Sequence, residues 1–162
     1  MKVLLRVVLI GIAGLLLAAC ASAGDPAQRE DEIKASLVQQ TLERALLAEE
    51  LPDVGLLLEQ GAVVVSLENI EPAWLEGFEE VELEALTPAE IQQRADQQGD
   101  FLFLRFDQIE LQGSDRAVVS LSNSWAVSQD STTGYLSGGG FQLEYQRQGD
   151  EWVGEISSLW IS

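Results

Sequence analysis

Of the side chains in this sequence able to do chemistry, Cys20 stands in the most telling position, because it is the single cysteine among 162 residues. It closes an apolar run. Lys2 and Arg6 give a positive start, the stretch from Val7 to Ala19 is uncharged, and the small pair Ala18-Ala19 immediately precedes the thiol. This is the anatomy of a secretory signal peptide. The run is shorter than the ~20 apolar residues a helix needs to cross a bilayer; the alternative is a plain signal anchor in which it stretches to Gly24 before meeting Asp25. With one cysteine no intramolecular disulfide can form, so a secreted domain must be held by packing. Histidine is absent from the sequence, which excludes Ser-His-Asp hydrolysis, Cys-His proteolysis and zinc sites built on imidazole within this chain. Carboxylates and tyrosines remain for acid/base work. Four residues interrupt apolar strand patterns and are the candidates for lining a pocket: Asn123 between Leu121 and Trp125, Tyr135, Tyr145, and Glu155 beside Val153. An acid/base enzyme in this chain would pair Glu155 with Tyr145. The plainer expectation is that Glu155 faces solvent, that Asn123 is an ordinary strand polar residue and that Trp125, Trp152 and Trp160 are core aromatics.

Charge narrows the partners. Nine Lys and Arg face 27 Asp and Glu, a net charge of −18. Nucleic acid is disfavoured, and no nucleic-acid partner is expected, because phosphate contacts need clustered basic residues. No Lys or Arg occurs from Ala45 to Gln93, while Glu68, Glu71, Glu76, Glu79, Glu80, Glu82, Glu84 and Glu90 crowd into residues 68–90. This spacing is not that of an EF-hand. The expectation is a solvated negative face with weak calcium binding at most, and neither a metal nor a cofactor; the alternative is a site for a divalent cation or a basic partner.

Local signals give the elements that must position these residues. Asp25-Pro26 with Gln28 three after the cap starts a helix. Ile33, Leu37, Val38, Thr41, Leu42, Ala45 and Leu46 give that helix one apolar face, and Leu51-Pro52 is read as its end. The tract from Asp53 to Gln60 fits a helical turn or a loop equally. Ala62 to Leu67 is a short β-branched strand, followed by a turn at Pro72 and Gly77 and an alternating strand at Val81 to Ala85. Thr87-Pro88-Ala89-Glu90 is a capping box, predicting a helix that stops at Gly99. Four strands follow. The first, Phe101 to Leu111, has a phase slip near Asp107; the second carries Leu121, Asn123 and Trp125 on one face. The third run, Tyr135 to Gln146, has a bend at Gly138-Gly139-Gly140 and points Phe141, Leu143 and Tyr145 inward. In the last, Trp152, Ile156 and Trp160 share a face.

Two resemblances add to this reading. Leu17-Ala18-Ala19-Cys20 resembles the lipobox of bacterial lipoproteins, which implies cleavage before Cys20 and acylation, palmitate included, of its thiol. One acyl chain holds a membrane only marginally and two or more hold it firmly, and acylation removes the hazard of an unpaired thiol in an oxidising compartment. The resemblance implies residues 1–19 as signal peptide, 20–25 as lipidated linker and 26–162 as a single α+β domain on the extracytoplasmic side of the cell envelope. Ala21, which is not the acidic residue associated with inner-membrane retention in some lipoproteins, points to the outer membrane if the source is Gram-negative. The element order, an N-terminal helix, two short strands, a helix and four strands, resembles the nuclear-transport-factor-2-like (cystatin-like) fold. That likeness implies a strongly bent antiparallel sheet packed on the N-terminal helix. It also implies a conical pocket where Asn123, Tyr145 and Glu155 converge, used in some members for isomerase or dehydratase chemistry and in others for binding or assembly. The expected function is a lipid-anchored, non-catalytic binding or accessory domain whose partner is an envelope protein or a small molecule. The alternatives are a small-molecule enzyme using Glu155 and Tyr145, and a structural envelope lipoprotein.

Overall fold

The computed structural model describes residues 25–135 and 138–161; Cys20 and the run before it lie outside the described residues. By its contacts the chain divides between Glu32 and Ile33. In the first unit the described part is Asp25 and the opening turns of helix α1 (Pro26–Leu42). Asp25 caps those turns, its carboxylate accepting the Ala27 N–H at 3.2 Å, with Pro26 at the first helical position, where no N–H is needed.

In the second unit α1 continues with Leu37, Val38, Thr41 and Leu42 buried, the face that the apolar spacing predicts. It does not run on to Leu51-Pro52. At Glu43–Leu47 it widens into a π-helical turn, and the chain leaves it through Glu49, whose φ of 55° is left-handed. The wider turn keeps Ala45 and Leu46 buried while redirecting the backbone, a change that side-chain periodicity does not reveal. The tract from Asp53 becomes a short helix, α2 (Val54–Glu59), with Val54 and Leu57 buried.

The strands are β1 (Val63–Ser66), β2 (Leu83–Leu86), β3 (Phe101–Leu111), β4 (Arg116–Ala126), β5 (Gly139–Gln148) and β6 (Glu151–Ile161), and helix α3 (Pro88–Gln98) lies between β2 and β3. They form one sheet in the order β2-β1-β3-β4-β5-β6. The fold is α+β, with helices and strands in the expected order. The sheet departs from the expectation in being mixed: β1 runs parallel to both β2 and β3, and only β3 to β6 are antiparallel throughout. Parallel neighbours need crossovers. Residues 67–82 with the 3-10 turn Pro72–Leu75 provide one and α3 the other, so what reads as a turn at Pro72 and Gly77 is a crossover with little helix to betray it.

Both faces of the sheet are covered at the β1–β3 end. On one face α1 and α2 bury Leu37, Leu42 and Leu57 against Val63, Val65, Leu104, Phe106, Val119, Leu121, Phe141 and Leu143. Each such side chain taken fully out of water contributes about 1.5–3 kcal/mol. On the other face Ile91 and Ala95 of α3 pack on Val64, Ala126, Phe101 and Phe103. Burial on two sides is why β1 and the start of β3 are apolar without alternation. The capping box forms as expected: the Thr87 hydroxyl accepts the Glu90 N–H at 3.3 Å, and Glu90 accepts the Thr87 N–H at 2.8 Å. The Thr87 hydroxyl also donates to Glu90 and, first among the causes, holds its carboxyl below the ordinary glutamate value.

Two bulges set side-chain facing. One lies between Phe106 and Gln108, where the sequence slips phase. The second, between Gln142 and Leu143, sets Leu143 opposite Ile156 but Gln142 opposite Ser158, so Ser157 is the extra residue. Trp160 therefore falls on the face opposite Trp152 and Ile156, contrary to the alternation read from the sequence. No helix among the described residues is long and apolar enough to cross a membrane.

Candidate functional site

Pairing places the four pocket candidates in three different surroundings. Asn123 and Tyr145 are both on the face packed by α1 and α2, each 2% exposed, and both are engaged in holding elements together. The Asn123 amide donates to the Pro52 carbonyl at 2.5 Å, and its oxygen accepts the Gly139 N–H at 2.5 Å. The chain after α1 is thereby pinned to the start of β5. Gly138, Gly139 and Gly140 are glycines because of close approach: a Cβ on Gly138 would strike Asn123, one on Gly139 would come within 2.7 Å of the Pro52 ring, and one on Gly140 would enter the Trp160 ring. The run is a packing joint between β4, β5 and the loop, not a phosphate cradle.

Tyr145 lays its ring over Gly154 of β6, where a Cβ would sit 2.6 Å from the ring edge, and its hydroxyl meets the Thr41 hydroxyl at 3.0 Å. Thr41 in turn donates to the Leu37 carbonyl at 2.7 Å, which makes Tyr145 the donor between the two hydroxyls. Burial pushes the Tyr145 phenol above the ordinary tyrosine value, opposed by the Thr41 hydrogen bond, so at neutral pH it is a proton donor to a structural partner. Tyr145→Phe is expected to lower stability by only about 1 kcal/mol, since Thr41 keeps its own acceptor; urea unfolding measures it.

Tyr135 lies outside β5, contrary to the run read from the sequence, and stacks on Trp125 with ring centroids 4.1 Å apart at 15°. Asp100 anchors the loop that carries it, taking the Ser131 hydroxyl at 2.6 Å and the Ser128 N–H at 2.7 Å. Those bonds, Ser131 first, hold the Asp100 carboxyl below its ordinary range. The Tyr135 phenol is raised, mainly by desolvation and then by Asp100. Asp96 holds the same loop through the Gln129 N–H at 2.9 Å.

Glu155 is exposed and pairs across the strands with Glu144, on the sheet face opposite Tyr145. There it borders a concavity of about 380 Å³ with Arg116, Glu144, Gln146 and Ser157. That surface offers hydrogen bonds and charge, and Tyr145 also borders it. The Tyr145 hydroxyl, however, is engaged with Thr41 on the face packed by α1, while Glu155 leaves the sheet on the other face. Three of the candidates thus serve packing, and the fourth stands on an open polar face.

The sequence reading passed over a groove beside β2. A cavity of about 450 Å³ lies between the Pro72–Leu75 turn and the outer edge of the sheet. Its apolar wall is Leu75, Phe78, Val81 and Leu83, and Glu76, Glu79 and Glu82 stand along it. Gln39 of α1 fixes the turn by donating to the Glu76 carbonyl at 2.7 Å. The signal was present as apolar residues interleaved with glutamates over 75–83; read for charge alone, it gives only a solvated face. Among the described residues no group of three acids is placed to hold a metal ion.

Comparison of the chain with protein families, curated proteins and solved structures finds no match.

Proposed function

We propose that this chain is a lipid-anchored, extracytoplasmic binding domain that holds an envelope protein and converts no substrate. The reading places it on the membrane by acyl chains on Cys20, in the outer membrane where the source is Gram-negative, with a strongly acidic α+β domain held near the bilayer. Its location rests on the pattern Leu17-Ala18-Ala19-Cys20. The observation that carries binding over catalysis is the placement of Tyr145 and Glu155 on opposite faces of the sheet, with Tyr145 and Asn123 already committed to structural hydrogen bonds. An acid/base enzyme needs its proton-transfer groups within reach of one substrate.

Copurification of the full chain from detergent-solubilised envelopes tests the reading. A stoichiometric protein partner is expected, retained undiminished by a Tyr145→Phe, Glu155→Gln double variant. A small molecule that the wild type turns over and the double variant does not would replace this reading with the enzyme.

A further inference from the structure

The groove beside β2 joins three properties, on an apolar wall whose inner side packs on the core through Leu75, Phe78, Val81 and Leu83. The first is an open edge. Among the described residues β2 ends the sheet, with β1 as its one neighbour. Its Glu82 and Leu86 carbonyls accept the Val63 and Leu67 N–H groups, each at 2.8 Å. Main-chain direction alternates along a strand, so the N–H and C=O of Leu83 and Ala85 are turned away from β1, to the open side. The second is an apolar wall at the same place: Leu83 and Ala85 line the cavity, and Leu75, Val81, Leu83 and Ala85 are all only half-buried. The third is charge of one sign. Glu76, Glu79 and Glu82 are exposed beside the groove, Glu80 follows Glu79 and Glu71 precedes the groove-lining Pro72, and no Lys or Arg occurs from Ala45 to Gln93.

An open strand edge with an apolar trough is how one chain adds a strand to another: main-chain bonds give affinity, and alternate side chains enter the trough. We propose that β2 receives an extended segment of a partner protein as a seventh strand. Apolar residues of that segment at alternate positions enter the groove, and Lys or Arg between or beside them meet Glu76, Glu79 and Glu82. A second copy of this chain does not fit the role. It carries nine Lys and Arg against 27 acids, so joining two copies at β2 would set like charges together, a cost that complementary interfaces avoid. This inference rests on the binding-domain reading and names the chemistry of its partner.

The probe is a short capped peptide alternating lysine and valine, titrated against the full chain in detergent. Two variants decide where it sits. Ala85→Pro removes an N–H that faces away from β1, a position where an edge strand tolerates proline, and so blocks strand addition while leaving the β1 pairing. Glu79→Lys with Glu82→Lys reverses exposed charge at the groove and decides the matter even where the proline variant folds poorly. Saturable binding that falls about tenfold or more in the charge variant, and equally in a folded proline variant, is the expected result. Absence of saturable binding to the wild type, survival of binding in the charge variant or in a folded proline variant, or equal binding of a lysine–glycine peptide would overturn it. The last outcome would mean charge attraction without the trough. Copurification separates this proposal from the broader one. If charge-reversed protein keeps its envelope partner, the groove is not the docking site and the binding domain stands; if the wild type captures no partner, the broader reading falls.

Discussion

Asn123→Leu is expected to destabilise the domain by about 3 kcal/mol and to lower its melting temperature by roughly 6–12 °C. The shape of the side chain is nearly kept, so the loss does not come from a cavity. It comes from the two groups left behind: the Gly139 N–H, which is buried, and the Pro52 carbonyl, which is partly buried, lose the amide that serves both. An unsatisfied buried donor or acceptor costs about 1–3 kcal/mol, and water has little room to replace the amide where Gly138, Gly139 and Pro52 crowd it. Asn123→Asp sharpens the test. It keeps an acceptor for Gly139 but loses the donor and sets a carboxylate against the Pro52 carbonyl, so it should be no milder than leucine. Thermal and urea unfolding measure both. A loss below about 1 kcal/mol for leucine would show that Pro52 and Gly139 find other partners.

The same residue illustrates what a sequence can and cannot tell. An asparagine between Leu121 and Trp125 on an apolar strand face is visible as an anomaly, and both a pocket-lining role and an ordinary strand role fit that anomaly. What it does depends on Pro52 and Gly139, which are distant in sequence and brought together only by tertiary packing. Local chemistry was legible where it is local: Asp25 capping α1, the Thr87–Glu90 box, the stop of α3 at Gly99 and the bulge after Phe106 all depend on residues a few positions apart. The direction of β1 was not, because a strand of three valines and a serine is too short to mark parallel or antiparallel pairing. Nor was the facing of Trp160, since the extra residue at Ser157 shifts the alternation without a glycine or proline to announce it.

That shift also decides how the candidate site should be viewed. Glu155 and Tyr145 appear compatible when their strands are read as patterns one at a time. Register places Tyr145 opposite Gly154 and Glu155 opposite Glu144, so the two side chains leave the sheet in opposite directions. The acidic segment gave the converse lesson. Its charge was legible, but its value as a groove depends on Leu75, Phe78, Val81 and Leu83 being folded into one wall beside a strand edge, which neither charge nor alternation states alone.

Cys20→Ala is expected to abolish fatty-acid labelling altogether and to stop the maturation cut before residue 20. The alanine conserves the small, apolar character of the run, so any effect isolates the thiol. Under the lipoprotein reading the thiol carries the lipid, and no second cysteine exists to replace it. The consequence for location follows from the anchor's energetics. Each buried methylene of an acyl chain contributes about 0.8 kcal/mol, and more than one chain is needed for firm attachment, so the variant loses its membrane hold except for the uncut run, itself shorter than the ~20 residues of a spanning helix. Metabolic labelling with palmitate, gel mobility and membrane fractionation read the three effects independently. The melting temperature of the domain should not change, because among the described residues the core is built from Ile33 and the residues after it. If the alanine protein still labels with fatty acid and matures at the same site, the lipid is carried elsewhere and the lipobox reading is wrong. If it loses label yet remains firmly membrane-bound after carbonate extraction, the apolar run is itself the anchor, and the domain is tethered by peptide instead of lipid.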